Sequence, residues 1–122
     1  MGNGRDVIEE LREPALKLRA LIPEVYAGFS AMGKAATAPG ALDTKTKELI
    51  ALALGVDQKC DGCIATHARA AARAGATQQE VAEAIGVAIQ LGGGPATVYG
   101  PRAFDAFLEF EEYFASRKRP GE

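Results

Sequence analysis

The chain has 122 residues, 48% apolar and 25% charged, the balance of one soluble globular domain, which excludes wholesale disorder and collagen-like or mucin-like classes. Fourteen Lys and Arg stand against sixteen Asp and Glu, a net charge of −2, so the basic field that a nucleic-acid partner demands is missing. Two cysteines are too few for a secreted disulfide framework, and the longest apolar run, Leu49 to Val56, is far short of the roughly 18 residues of a membrane span.

Glycine and proline divide the chain into helices, with no alternating strand pattern. The first expected helix, Asp6 to Leu21, carries Val7, Leu11, Leu18 and Leu21 at helical spacing, with Pro14 a candidate kink. Pro23 suits the first turn of a second, from there to about Ala36, with Val25, Tyr26, Phe29 and Met32. A loop at Thr37 to Ala41 precedes a third, capped by Asp43 or Thr44 and ending near Val56 or Asp57. Cys60-Asp61-Gly62-Cys63 opens a fourth, alanine-rich helix that stops with Gly75 at C′. Thr77-Gln78-Gln79-Glu80 matches a capping box and starts a fifth, which ends near Gly92. A last helix carries Phe104, Phe107, Leu108 and Phe114 and is expected to kink or break at Gly100-Pro101. The expectation is one all-α domain over 1–122, its core over about 22–115 and a frayed tail over 117–122.

The third and fifth helices are apolar on more than one side: Leu49, Ile50, Leu52, Leu54 and Val56 leave no wide polar face in one, and Ala84, Val87 and Leu91 lie off the stripe of Val81, Ile85, Ala88 and Ile89 in the other. A short chain cannot readily cover so many faces, so a homo-oligomer is expected, with a central helix in a monomer as the alternative. Residues Met1 to Glu13 hold no apolar stretch of a secretory signal, and Asp6 stands where a myristoylation signal needs Ser or Thr. A soluble cytoplasmic protein is expected, without a membrane partner.

Reactive side chains concentrate in one place. Cys60 and Cys63 are three residues apart, a helical spacing of about 5 Å that lies within the window for a disulfide. His67, the one histidine, follows Cys63 by four residues and shares its helical face. Helix-start amides favour the thiolate, and Cys-X-X-Cys thiols there titrate well below the free thiol. Glu48 stands where the polar start of the third helix gives way to the apolar run. It reads either as a partly buried proton acceptor or as a solvated early-helix glutamate. A zinc or iron site on Cys60, Cys63, His67 and Glu48 is a rival reading, and would need ligands shared between subunits in the absence of a second Cys or His pair. Inert buried thiols are another, and a thioredoxin fold lacks its βαβ pattern. Redox chemistry is the reading the spacing favours, with no cofactor or metal. Tyr26, Phe29, Tyr99 and Phe104 are either core or the lining of an apolar channel.

The run Leu42-Asp43-Thr44-Lys45-Thr46-Lys47-Glu48-Leu49-Ile50-Ala51-Leu52-Ala53, with Cys60-Asp61-Gly62-Cys63 and His67, resembles the alkylhydroperoxidase D-like branch of the carboxymuconolactone decarboxylase family. The likeness extends through Ala74-Gly75-Ala76-Thr77, Glu80-Val81 and the glycines before Pro95, covering Leu42 to Ala96 well and the first forty residues loosely. It implies an all-α fold in trimers or hexamers, with Glu48, Cys60, Cys63 and His67 as a redox pair and proton relay. Some relatives carry a further histidine between the cysteines, where this chain has Asp61 and Gly62. The intact pair argues against the γ-carboxymuconolactone decarboxylase branch. The expected activity is thiol-dependent hydroperoxide reduction, with a hydroperoxide substrate and an external dithiol. Thiol–disulfide exchange or redox sensing without turnover, and lyase chemistry, are the alternatives.

Overall fold

The computed structural model describes residues 2–117; the frayed tail expected over 117–122 lies outside the described residues but for Arg117. Six helices follow one another: α1 (Arg5–Leu21), α2 (Pro23–Thr37), α3 (Thr44–Asp57), α4 (Asp61–Arg73), α5 (Gln78–Gly92) and α6 (Gly94–Ser116). No strand occurs among the described residues.

The helix boundaries follow local chemistry. Of the two candidate caps for α3, Asp43 takes the position and its carboxylate accepts from the Thr46 N–H at 2.8 Å. At α5 the capping box is complete: Thr77 accepts from the Glu80 N–H at 3.1 Å and Glu80 from the Thr77 N–H at 2.8 Å. Glu80 also pairs with Lys45 at 2.9 Å, joining the starts of α5 and α3. The bond from Lys45 holds the Glu80 carboxyl below its ordinary range and raises the ammonium of Lys45.

Helix α4 ends on Gly75 at φ +86°, with Gly75 N–H to Ala72 O at 3.1 Å and Ala76 N–H to Ala71 O at 3.0 Å. That pairing is a Schellman ending. Between α5 and α6 the single residue Gly93, at φ +68°, serves as the end of one helix and the start of the next.

Of the kink or break expected at Gly100-Pro101, the break is absent: α6 runs unbroken from Gly94 to Ser116. Gly100 is there for proximity. A Cβ on it would lie 2.8 Å from Ile85 Cγ2, so α5 and α6 touch where the side chain is missing. Pro14 likewise sits inside an unbroken α1.

The core lies among α3, α4, α5 and α6. Leu52 and Val56 of α3, Ile64, Ala68 and Ala71 of α4, Val81 and Ile85 of α5, and Phe107 and Phe110 of α6 are buried together. The alanines of α4 recur at the spacing of one face and let α3 and α6 approach its backbone closely. Burying Phe107 completely contributes about 1.5–3 kcal/mol. Helix α1 lies along α4, with Ile8 packed on the core. Helix α2 buries none of its residues, leaving Val25, Phe29 and Met32 exposed. No helix among the described residues is long and apolar enough to cross a membrane.

Candidate functional site

The site grows from the three residues that join α3 to α4. Helix α3 closes with Lys59 N–H to Val56 O at 3.1 Å and Cys60 N–H to Gly55 O at 3.1 Å, a second Schellman ending. Its left-handed residue is Lys59, at φ +55°, where glycine is usual. Such a conformation costs a residue with a Cβ about 1–2 kcal/mol. The effect is to turn the chain at once, so that Cys60 ends one helix and begins the next.

Cys60 is the N-cap of α4. Its sulfur accepts from the Cys63 N–H at 3.2 Å, and its carbonyl accepts the Ile64 N–H at 2.9 Å. Its backbone is therefore held on both sides. Cys60 and Cys63 form a disulfide, with their Cα atoms 5.2 Å apart, matching the spacing read from the sequence. Both residues are half-buried. They lie at the positive end of the α4 dipole, which stabilises a sulfur anion on either residue once the bond is reduced.

Helix α3 brings Glu48 to this place from the other side. Glu48 shares a face with Leu52 and Gly55, and all three are buried. The solvated alternative for Glu48 is overturned: it is 7% exposed and the one buried charged residue among those described. Its Oε1 lies 2.9 Å from His67 Nδ1. An ionised Glu48 can only accept, so His67 Nδ1–H donates and Nε2 is left as the basic nitrogen. Gly55, two turns on, gives α4 room: a Cβ there would stand 3.4 Å from Cys63 Cβ.

All four residues singled out in the sequence thus belong to the contact between α3 and α4, with His67 one turn after Cys63. Among the described residues no group of three or more His, Cys, Asp and Glu is arranged to hold a metal ion. Of the aromatic candidates, Tyr99 and Phe104 pack on the core and Phe29 is exposed. Tyr26 lines a cavity together with Gly62 and Thr66.

Two features escaped sequence reasoning. A lysine carries no signal for a left-handed residue, so the tight turn at Lys59 was illegible. The arginines that face α4 from α1, Arg12 and Arg19, were marked only by their spacing of seven.

Comparison with known proteins agrees with this architecture. The family model for the carboxymuconolactone decarboxylase family matches residues 23–111. An uncharacterized protein of Cupriavidus necator is 40% identical over 85 residues, 70% of this chain and 75% of that one. The crystal structure of a carboxymuconolactone decarboxylase family protein from Legionella pneumophila is 42% identical, with a TM-score of 0.83, covering 87% of this chain and 95% of that one. A Thermotoga maritima member of the family, for which a part in an antioxidative response has been suggested, is 32% identical with a TM-score of 0.68, covering 75% and 94%. By sequence and by fold, the chain belongs to the carboxymuconolactone decarboxylase family.

Proposed function

We propose that the protein is a thiol-dependent hydroperoxide reductase. One observation carries the reading: a disulfide at the start of a helix, with the half-buried His67 one turn on and bonded to the buried Glu48. In the reduced enzyme, His67, oriented by Glu48, takes the proton of Cys63 directly or through a water. The Cys63 thiolate attacks the outer peroxide oxygen, the O–O bond breaks, and the alkoxide leaves as an alcohol with the proton returned by His67. Cys63 is then a sulfenic acid. The Cys60 thiol displaces hydroxide from it, giving water and the Cys60–Cys63 disulfide. An external dithiol exchanges with that disulfide, becoming oxidised and restoring both thiols.

Attack is assigned to Cys63 because it shares a helical face with His67. Cys60→Ser should consume about one equivalent of peroxide and stop as the sulfenic acid, whereas Cys63→Ser should form none. Normal turnover of Cys60→Ser with a dithiol would remove its resolving role. The same disulfide also supports thiol–disulfide exchange without turnover. That reading predicts a protein that oxidises dithiols yet reduces hydroperoxides no faster than a free thiol. Lyase activity would survive loss of both cysteines.

The working unit in this reading is a homo-oligomer, a trimer or hexamer, in the cytoplasm, where dithiol reductants are kept reduced. Two exposed apolar surfaces support it. Between α3 and α5 a groove of about 380 Å³ is lined by Leu49, Ile50, Leu54, Val87 and Leu91. Helix α2 has no core of its own to bury Val25, Phe29 and Met32. The two surfaces differ, so a second copy can seat its α2 in the groove, and such contacts repeated head to tail close into a ring when the rotation between copies is that of a trimer or hexamer.

A further inference from the structure

The α1 face of α4 carries chemistry that the redox pair does not use. Between α1, α2 and α4 lies an open cavity of about 420 Å³, within the ~300–1,000 Å³ usual for small-ligand sites. Its floor on α4 is Gly62 and Thr66, the residues immediately before Cys63 and His67. Leu11 reaches over Gly62, where a Cβ would stand only 3.3 Å from Leu11 Cδ1. Three arginines, Arg12, Arg19 and Arg69, line the same space. A smaller cavity of about 200 Å³ shares Ile8, Arg12 and Arg69 with it, so the two make one groove along the α1–α4 seam.

Such a concentration is out of keeping with a chain of net charge −2. Local pairing accounts for part of it. Arg12 is bonded to Glu9 at 3.1 Å, and Arg19 lies in the last turn of α1, where a cation complements the helix dipole. Arg69 has neither explanation: it is half-buried, in mid-helix, and makes no ion pair with any described residue. The remaining walls are apolar, from Ile8, Leu11 and Leu16, with the half-buried Tyr26 above.

We propose that this groove binds an amphipathic carboxylate, its headgroup on Arg69 and its alkyl chain along Ile8, Leu11 and Leu16. The guanidinium fork matches a carboxylate in geometry, and the apolar walls select an acid with a hydrocarbon body over a bare inorganic anion. The site is separate from the thiol chemistry: none of Glu48, Cys60, Cys63 and His67 lines it.

The test uses the full-length protein. Titration calorimetry with decanoate should show saturable binding that inorganic phosphate does not displace, and methyl decanoate should not bind. Arg69→Gln should weaken decanoate about tenfold or more, the loss of a charge-assisted contact, and Arg69→Lys should recover part of it. Arg19→Gln, at the other end of the groove, should leave decanoate binding unchanged. Decanoate binding unaffected in Arg69→Gln, or methyl decanoate bound as tightly as the acid, would overturn the site. Wild-type protein that binds decanoate in this way yet reduces no hydroperoxide would retire the peroxidase reading and leave the site standing.

Discussion

Replacing Glu48 separates charge from shape at the centre of the site. Its carboxylate is buried, with Oε1 2.9 Å from His67 Nδ1. In Glu48→Gln the amide oxygen still accepts from Nδ1–H, so the imidazole keeps its orientation while the negative charge is lost. A hydrogen bond to a charged group contributes ~1.5–3 kcal/mol and a neutral one ~0.5–1.5 kcal/mol, a difference of about 1–1.5 kcal/mol. Spent on the transition state for proton transfer from Cys63, that loss is about tenfold in kcat/KM. Glu48→Ala removes the bond altogether, and the same arithmetic gives roughly 10- to 150-fold. The assay is peroxide consumption in excess dithiol, followed from roughly pH 5 to 9, with thermal melts to confirm that both variants fold. A graded loss, Gln milder than Ala, is the expected outcome. A Glu48→Gln enzyme with the wild-type rate across that range would remove Glu48 from the relay.

Three further expectations concern packing and assembly. Gly100→Ala gains about 1 kcal/mol of helix propensity but sets a methyl 2.8 Å from Cγ2 of buried Ile85, an overpacking cost of ~1–3 kcal/mol. The melting temperature should therefore fall, by roughly 4 °C per kcal/mol lost, and a rise would show that α5 and α6 separate freely. Lys59→Gly relieves the left-handed residue at φ +55° and, after the extra entropy of glycine, should stabilise the fold by about 0.5–1 kcal/mol. A lower melting temperature would mean that the Lys59 side chain contributes more than its backbone costs. Asp at Val87 or Leu54 in the groove, or at Phe29 on α2, should each reduce the mass measured by light scattering to that of one chain. A wild-type protein already monomeric would refute the ring.

The six helices were legible because each boundary carries its own chemistry: Pro23 at a helix start, the Asp43 cap, the Thr77–Glu80 box, and Gly75 at a helix end. Gly100-Pro101 misled because glycine has two uses. The sequence pattern suggests a backbone break, whereas the residue is there to let Ile85 approach. The site was half legible. Spacing alone placed Cys60, Cys63 and His67 within one stretch of helix, since local geometry is fixed by the helical repeat. Glu48 could be seen to share a face with Leu52 and Gly55, but which helix that face meets depends on tertiary packing. The resemblance of the Leu42 to His67 segment to known proteins supplied the role that spacing left open. The groove along α1 stayed hidden for the same reason, because Leu11 and Arg69 are far apart in sequence and line one space only through the docking of α1 on α4.

The central claim is that Cys60 and Cys63 form a redox cycle driven by peroxide. The fully reduced protein should be treated with one equivalent of an organic hydroperoxide, and its free thiols and intact mass measured before and after. The account predicts loss of both thiols, a mass decrease of about 2 Da, and full recovery with a dithiol. Two thiols that persist unchanged over minutes in the folded protein would contradict it.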